Sequence, residues 1–187
     1  MLDGASDEDL VTQIATQDQR AFRVLIARHM RRALRVAQAT TGTAADADDI
    51  AQEAFVRVWH RASSFDQRIA RFTTWFYRIV VNLAMDRLRR PRSEPLDHAA
   101  NVASEAPDPL AHLVASEEQH MLAGALAEIS ERQRAAIALF HFEGLSGREG
   151  ADAMNLSEKA FESLLIRARA ALRQQVLARR LRPGAKP

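Results

Sequence analysis

The chain has no cysteine in its 187 residues. That excludes disulfides and thiolate metal sites. Lysine is nearly missing too: Lys159 and Lys186 stand alone among 26 basic residues, and the rest are arginine. Arginine offers a planar, always-charged fork suited to phosphates and to stacking on bases, although arginine preference also follows genome composition. No apolar run approaches the ~20 residues needed to span a bilayer. The N-terminal MLDGASDEDL is acidic and polar, unlike a signal peptide. A soluble cytoplasmic protein with no membrane partner is expected. Catalytic signatures are missing as well. The six histidines (29, 60, 98, 112, 120, 141) form no H-E-x-x-H or similar ligand spacing, and there is no phosphate-cradling glycine loop. No catalytic residue, metal or cofactor is expected, and the chain does not read as an enzyme.

What is present is segregated charge. Net charge is only +2, so a nucleic-acid surface has to come from clustering. Nine arginines fall between Arg57 and Arg92 against Asp66 and Asp86, a local balance of +7. Residues 93–131 carry eight acids and no Lys or Arg; residues 165–187 carry seven bases and no acid.

The apolar spacing is helical throughout. Residues 1–7 are expected to be frayed. A short helix carries Leu10, Val11 and Ile14. Asp18 is a plausible cap for a longer helix with Phe22, Leu25, Ile26, Met30, Ala33, Leu34 and Ala37, stopped at Gly42. Thr43 opens a T-x-x-D capping box with Asp46. The next helix, to about Arg61, buries Ile50, Ala54, Phe55 and Val58. Asp46, Asp48 and Asp49 near its start are also what the helix macrodipole favours. Residues 62–71 read as a loop. From Thr73 to Arg89, Phe76, Ile79, Val80 and Leu83 share one face. Arg78, Asn82, Met85 and Arg89 share the other, with Trp75 on the shoulder; Pro91 ends the helix. Residues 91–115, with four prolines, read as a linker.

A second helical unit begins near Ser116. Its first helix carries Met121, Leu122, Ala125, Leu126 and Ile129. Ser130 caps another with Ile137, Leu139, Phe140 and Phe142, closed by Gly144. A short helix over 147–154, a turn at Asn155 in the left-handed conformation and a helix capped by Ser157 make a helix-turn-helix pattern. The last helix is expected to bury Phe161, Leu164, Leu165, Ala168 and Leu172. It shows Lys159, Glu162, Ser163, Ile166, Ala170 and Arg173 outward, with Arg167 at the edge. The basic stretch from Arg179 is expected to fray.

Cations interleaved with aromatics suit single-stranded nucleic acid, whose backbone needs charge and whose bases need π faces. Each stacked base returns ~1–3 kcal/mol, against about 1.4 kcal/mol to open a DNA step. This surface can therefore capture a few melted bases but not open a long bubble unaided, which implies a larger partner machine.

DADDIAQEAFVRVWHR, then F-D, then RFTTWFYRIVVNLAMDRLRR resembles domain 2 of the extracytoplasmic-function sigma factors of bacterial RNA polymerase. LAEISERQRAAIALFHFEGLSGREGADAMNLSEKAFESLLIRARAALR resembles their domain 4. The resemblance implies an all-α chain of two small helical domains. These are a domain 2 bundle over 1–90 and a domain 4 helix-turn-helix over 116–175, joined by a flexible linker over 91–115, with a basic tail over 176–187. It implies polymerase-core contacts at Asp46, Asp48, Asp49, Gln52, Glu53, Phe55 and Trp59. It implies −10 contacts, including a loop pocket for one flipped base, from Ser63, Phe65, Arg71, Trp75, Arg78, Asn82, Asp86, Arg89 and Arg90. It implies −35 contacts from Ser157, Lys159, Glu162, Ser163, Arg167 and Arg173 in the major groove. The partners implied are polymerase core, promoter DNA and an anti-sigma factor. The function implied is transcription initiation: choosing promoters and assisting their melting. This chain departs from the family at Gly150, where a large aliphatic is usual, and at Asn155, where glycine is usual. It also departs at Glu162 and Leu164, which often are Lys or Arg. A glycine inside a helix costs ~1 kcal/mol against Ala. The alternatives are a stand-alone helix-turn-helix regulator binding duplex DNA as a dimer, and a helical adaptor docking an acidic surface. Neither uses the acidic helix and Trp75 together.

Overall fold

The structure is a computed structural model that describes residue 2, residues 4–90 and residues 119–181. All regular elements among the described residues are helical. Helix α1 is Asp7–Ala15, α2 Gln19–Thr41, α3 Ala44–Arg61 and α4 Phe72–Arg89. Residues 119–127 form α5; α6 is Glu131–Ile137, α7 Gly147–Ala153 and α8 Glu158–Arg180. A 3-10 turn, Ala62–Ser64, comes after α3, and a π-helical turn, Ala138–Phe142, comes after α6.

The helix ends obey local chemistry. Asp18 accepts from the amides of Arg20 and Ala21, and Ser157 accepts from Ala160. Ser130 with Gln133, and Ser146 with Glu149, form reciprocal capping boxes. Gly42 (φ 85°) and Gly144 (φ 69°) end their helices in the left-handed region, and Asn155 (φ 53°) makes the turn between α7 and α8. At Thr43 the expected box is altered: the hydroxyl takes the Asp46 amide but also donates to the Asp46 carboxylate at 2.7 Å.

The expectation of a frayed start is corrected for residues 4–7, while residues 1 and 3 lie outside the described residues. Ser6 caps α1, and Asp7 Oδ1 accepts from Arg28 at 2.9 Å. Asp7 Oδ2 lies 2.7 Å from His29 Nε2. His29 is buried against the rings of Phe72 and Phe76, with Nδ1 unpartnered. One residue on, Glu8 Oε1 accepts the amide of Phe72 at 2.9 Å. Arg71 makes no side-chain cap, so α1 supplies the N-terminal cap of α4. Helices α1 to α4 close on Phe55, Phe72, Phe76, Leu25 and Val58, all buried. Burying each such side chain stabilises by roughly 1.5–3 kcal/mol.

The second unit packs α6 and α7 against α8, and α7 is held closely there. A methyl group at Gly150 would lie 2.3 Å from Phe161 Cζ, so the glycine that departs from the family pattern admits an aromatic ring. The π turn adds a residue to the local helix and rotates the residues beyond it. Leu139 stays buried while Phe142, the last apolar residue of that run, turns outward. Leu122 is likewise exposed. Helix α8 continues through 176–180, where Arg179 donates to the Gly124 carbonyl at 2.9 Å and pairs with Glu128. Residues 182–187, Pro91 and the expected linker lie outside the described residues.

The two units share one apolar cluster. Helix α6 and the π turn rest on α2, and α7 rests on α4. Tyr77, Val81 and Ala84 are therefore buried together with Phe76, Ile79, Val80 and Leu83. The one-sided α4 expected from periodicity is packed on most of its circumference.

Candidate nucleic-acid and partner interface

The first surface lies on α3. Asp48, Asp49, Gln52 and Glu53 are exposed or half-exposed at helical spacing. Asp46 is half-buried, bonded by Arg87 Nε at 2.7 Å, and Asp49 lies 3.6 Å from the same guanidinium. Arg87 thus ties the acidic start of α3 to α4. Glu53 pairs with Arg57 one turn on. Trp59 is half-buried, its ring 4.9 Å from Phe22. Phe55 is a correction. At 2 % exposure it packs on Phe22 and Phe76, so it shapes the helix from beneath and offers no contact surface. Val56, 47 % exposed, extends the acidic strip instead. Its signal in the sequence was an apolar residue outside the buried i, i+3, i+4 set.

The second surface joins the loop after α3 to α4. Ser63, Ser64, Phe65, Asp66, Gln67 and Arg68, with Thr12 of α1, line an open polar cleft of about 440 Å³. Phe65 is half-buried and lies 5.2 Å from the Trp75 ring at 43°. Phe72 lies behind both. Asp66 is bonded by both the side chain and the amide of Arg68, which hold its carboxyl down at about 2. It stays ionised and fixes the loop, while Ile69, 82 % exposed, projects from it. Beyond Trp75, α4 presents Arg78, Asn82, Arg89 and, at its end, Arg90, all exposed. Arg89 pairs with Asp86. The structure thus brings a polar cleft, an aromatic pair and a cationic ridge onto one side of α4.

Two more of the predicted cations have partners outside α4. Arg71 lies 3.6 Å from Glu149, and Arg78 Nε donates to the Asp152 carbonyl at 2.9 Å. Both partners are on α7. Spacing within α4 could not show this, because the Arg78 partner lies 74 residues away in sequence.

The third surface is α8. Lys159, Glu162, Ser163, Arg167 and Arg173 lie along it, with Ile166 at 66 % exposure among them. Ser157 spends its hydroxyl on the helix cap. On the flank, Arg169 stacks over Phe140 at 4.9 Å and bonds His141. Leu164 and Leu172 are only partly covered, while Phe161, Leu165 and Ala168 are buried. Among the described residues no group of His, Asp and Glu could hold a metal ion. None of the described helices is long and apolar enough to cross a membrane.

Two family models match the chain: sigma-70 region 2 over residues 25–94, and sigma-70 region 4 over residues 119–172. The RNA polymerase sigma factor CnrH of Cupriavidus metallidurans is 34 % identical over 177 residues, 89 % of this chain and 92 % of its own. The ECF RNA polymerase sigma factor SigM of Mycobacterium tuberculosis is 34 % identical over 168 residues, 89 % of this chain and 83 % of its own. CnrH solved in complex with the cytosolic domain of CnrY is similar with a TM-score of 0.67 at 30 % identity. That match covers 92 % of this chain and 97 % of the other. The sigma factor RpoE, co-crystallised with the anti-sigma factor NepR from Bartonella quintana, shares the fold at 19 % identity and a TM-score of 0.63. That match covers 83 % of this chain and 96 % of the other.

Proposed function

The chain belongs to the extracytoplasmic-function family of sigma-70 RNA polymerase sigma factors, and from that premise we propose how it works. It directs bacterial RNA polymerase core to specific promoters and assists their melting. Region 2 supplies the polymerase contact and the −10 contact, and region 4 supplies the −35 contact. Sigma factors as a class are not enzymes; the chemistry of RNA synthesis belongs to the polymerase. The chain works in the cytoplasm, where that polymerase is.

The observation that carries the reading in detail is the Phe65–Trp75 pair between a polar cleft and the ridge of Arg78, Asn82, Arg89 and Arg90. An unstacked base finds an aromatic face there, and the phosphates on either side find guanidinium groups. We assign the strip of Asp48, Asp49, Gln52, Val56 and Glu53, with Trp59 at its end, to polymerase core. We assign the exposed face of α8 to the −35 major groove. Glu162 there accepts from a cytosine amino group or disfavours nearby phosphate. A protein inhibitor that covers these surfaces is the expected regulator, as an anti-sigma factor accompanies RpoE in its crystal. The stand-alone regulator reading leaves the acidic strip and the aromatic pair without a task.

Run-off transcription tests this. Purified protein, sigma-free core polymerase and a pool of genomic fragments should give transcripts that vanish without the protein. Their aligned upstream sequences should contain two elements. No transcripts together with no binding to core polymerase would remove the reading.

A further inference from the structure

We propose that the free chain holds itself closed through Glu143, and that closure gives Arg71 and Arg78, two cations assigned to the melted −10 strand, partners on α7. The task of those cations rests on the sigma reading; the closure rests on geometry.

Glu143 directly succeeds the π turn, and Gly144 beyond it reverses the chain with φ 69°. That backbone aims its side chain away from its own unit and into the first. Its side chain is 0 % exposed. Tyr77 of α4 donates its hydroxyl to Oε2 at 2.6 Å. From α2, Arg35 Nη2 donates to Oε1 at 3.2 Å, and Arg32 Nε lies 3.7 Å from Oε2. A hydroxyl and two guanidinium groups from two helices therefore converge on one carboxylate from a distant stretch. Arg134 adds a second tie, donating to the Thr40 carbonyl at 2.9 Å near the end of α2. With these in place, α7 sits on α4, with Glu149 against Arg71 and the Asp152 carbonyl on Arg78.

This arrangement cannot serve both promoter elements at once. By their names the −35 and −10 elements lie about 25 base pairs apart, roughly 85 Å at 3.4 Å per pair. A compact chain of this length has a radius of gyration of about 16 Å. The stretch between Arg90 and residue 119 reaches up to about 90 Å when extended at ~3.3 Å per residue. Promoter engagement therefore requires the two units to part, and parting withdraws Glu143 from Tyr77, Arg32 and Arg35.

The test uses the full chain, whose lack of cysteine allows two labels to be placed at will. Spin labels at Ala27→Cys in α2 and Gln174→Cys in α8, both outside the proposed contact surfaces, report the separation of the units. The free chain should give a short, narrow distance in about nine molecules of ten; Glu143→Gln should broaden and lengthen it. A short single-stranded DNA of mixed sequence should bind Glu143→Gln about tenfold tighter than the parent chain. That is the gain expected if about one molecule in ten is open before the change. Arg32→Ser with Arg35→Ser removes the same hold from the other side at two half-exposed positions, and should reproduce both effects with the helical circular dichroism unchanged. A broad distance in the parent chain, or variants that leave both distance and binding unmoved, would overturn the latch. Run-off transcription separates the two claims. Transcripts with an unmoved distance would leave the sigma reading standing without the latch, and a moved distance without transcripts would do the reverse.

Discussion

Gly150 offers the most direct check on the packing of the second unit. Intrinsic helix propensity predicts that Gly150→Ala, inside α7, stabilises by about 1 kcal/mol. The packing predicts the opposite. A methyl group there would sit 2.3 Å from Phe161 Cζ, with two more ring carbons within 2.9 Å. The ring is fully buried and would have to retreat by about 1 Å to restore ordinary contact. Overpacking of that kind costs ~1–3 kcal/mol. The net expectation is a loss of about 1 kcal/mol, read as a lower urea midpoint at unchanged slope. Phe161→Leu opens space at the same spot, so the double variant should be less destabilised than the sum of the singles, with a coupling of about 1 kcal/mol. Stabilisation by Gly150→Ala alone, or strict additivity with Phe161→Leu, would refute the claim that this ring sits over the glycine.

Trp75→Ala removes a base stack of ~1–3 kcal/mol; open-complex formation by permanganate footprinting should fall at least about fivefold while binding to −35 duplex stays unchanged. Asp48→Arg with Gln52→Arg should weaken binding to polymerase core at least about tenfold, mainly through on-rate and salt dependence, with stability within about 1 kcal/mol. Asp7 has its carboxyl lowered by its hydrogen bond with His29, then by Arg28. Its contribution is therefore present above the unfolded carboxyl value of about 3.9 and is lost as pH falls through the lower folded value. Asp7→Asn should cost about 2 kcal/mol at pH 7, and the stabilities of the two proteins should converge as pH falls below about 4.

The helix boundaries were legible because they are written in single residues. Asp18, Ser130 and Ser157 each bond the amides next to them, and Gly42, Gly144 and Asn155 each need a left-handed backbone. The exposed strip of α3 and the ridge of α4 were legible because helical spacing separates a wet face from a packed one. Tyr77 and Phe142 were not. Phe55 reads both ways: its spacing on α3 places it in the core, where it lies, and only the family resemblance places it on a contact surface. Tyr77 and Val81 are buried where the second unit packs on the first, a contact that no pattern within α4 announces. Phe142 turns outward because a π turn shifts the register by one residue, and its sequence, ALFHF, continues an ordinary helical pattern. His29 read as one of six scattered histidines until Asp7, Phe72 and Phe76 closed around it.

The distribution of strength across the closed interface bears on how it opens. Arg71 meets Glu149 at 3.6 Å with its side chain 79 % exposed, and exposed pairs of this kind contribute roughly 0–1 kcal/mol. Arg78 makes one bond to a carbonyl. The contacts to the two cations assigned to the −10 strand are therefore the weak ones, and phosphates would compete with them on favourable terms. Glu143 is different: its carboxylate has left water. Burial together with that carboxylate pushes the Tyr77 phenol above its ordinary range, so Tyr77 remains the donor. A buried ion pair returns much of its attraction as desolvation cost, so the net hold is small while all three donors converge and falls sharply when one is removed. Withdrawal rehydrates Glu143, while Arg32 and Arg35 already show over half their side-chain surface to solvent, which offsets part of the lost contact. A latch built this way keeps α7 over Arg71 and Arg78 in the free chain, yet yields to a partner that supplies only a few kcal/mol. Such a partner opens it only to the extent that it binds the parted units more tightly than the closed ones.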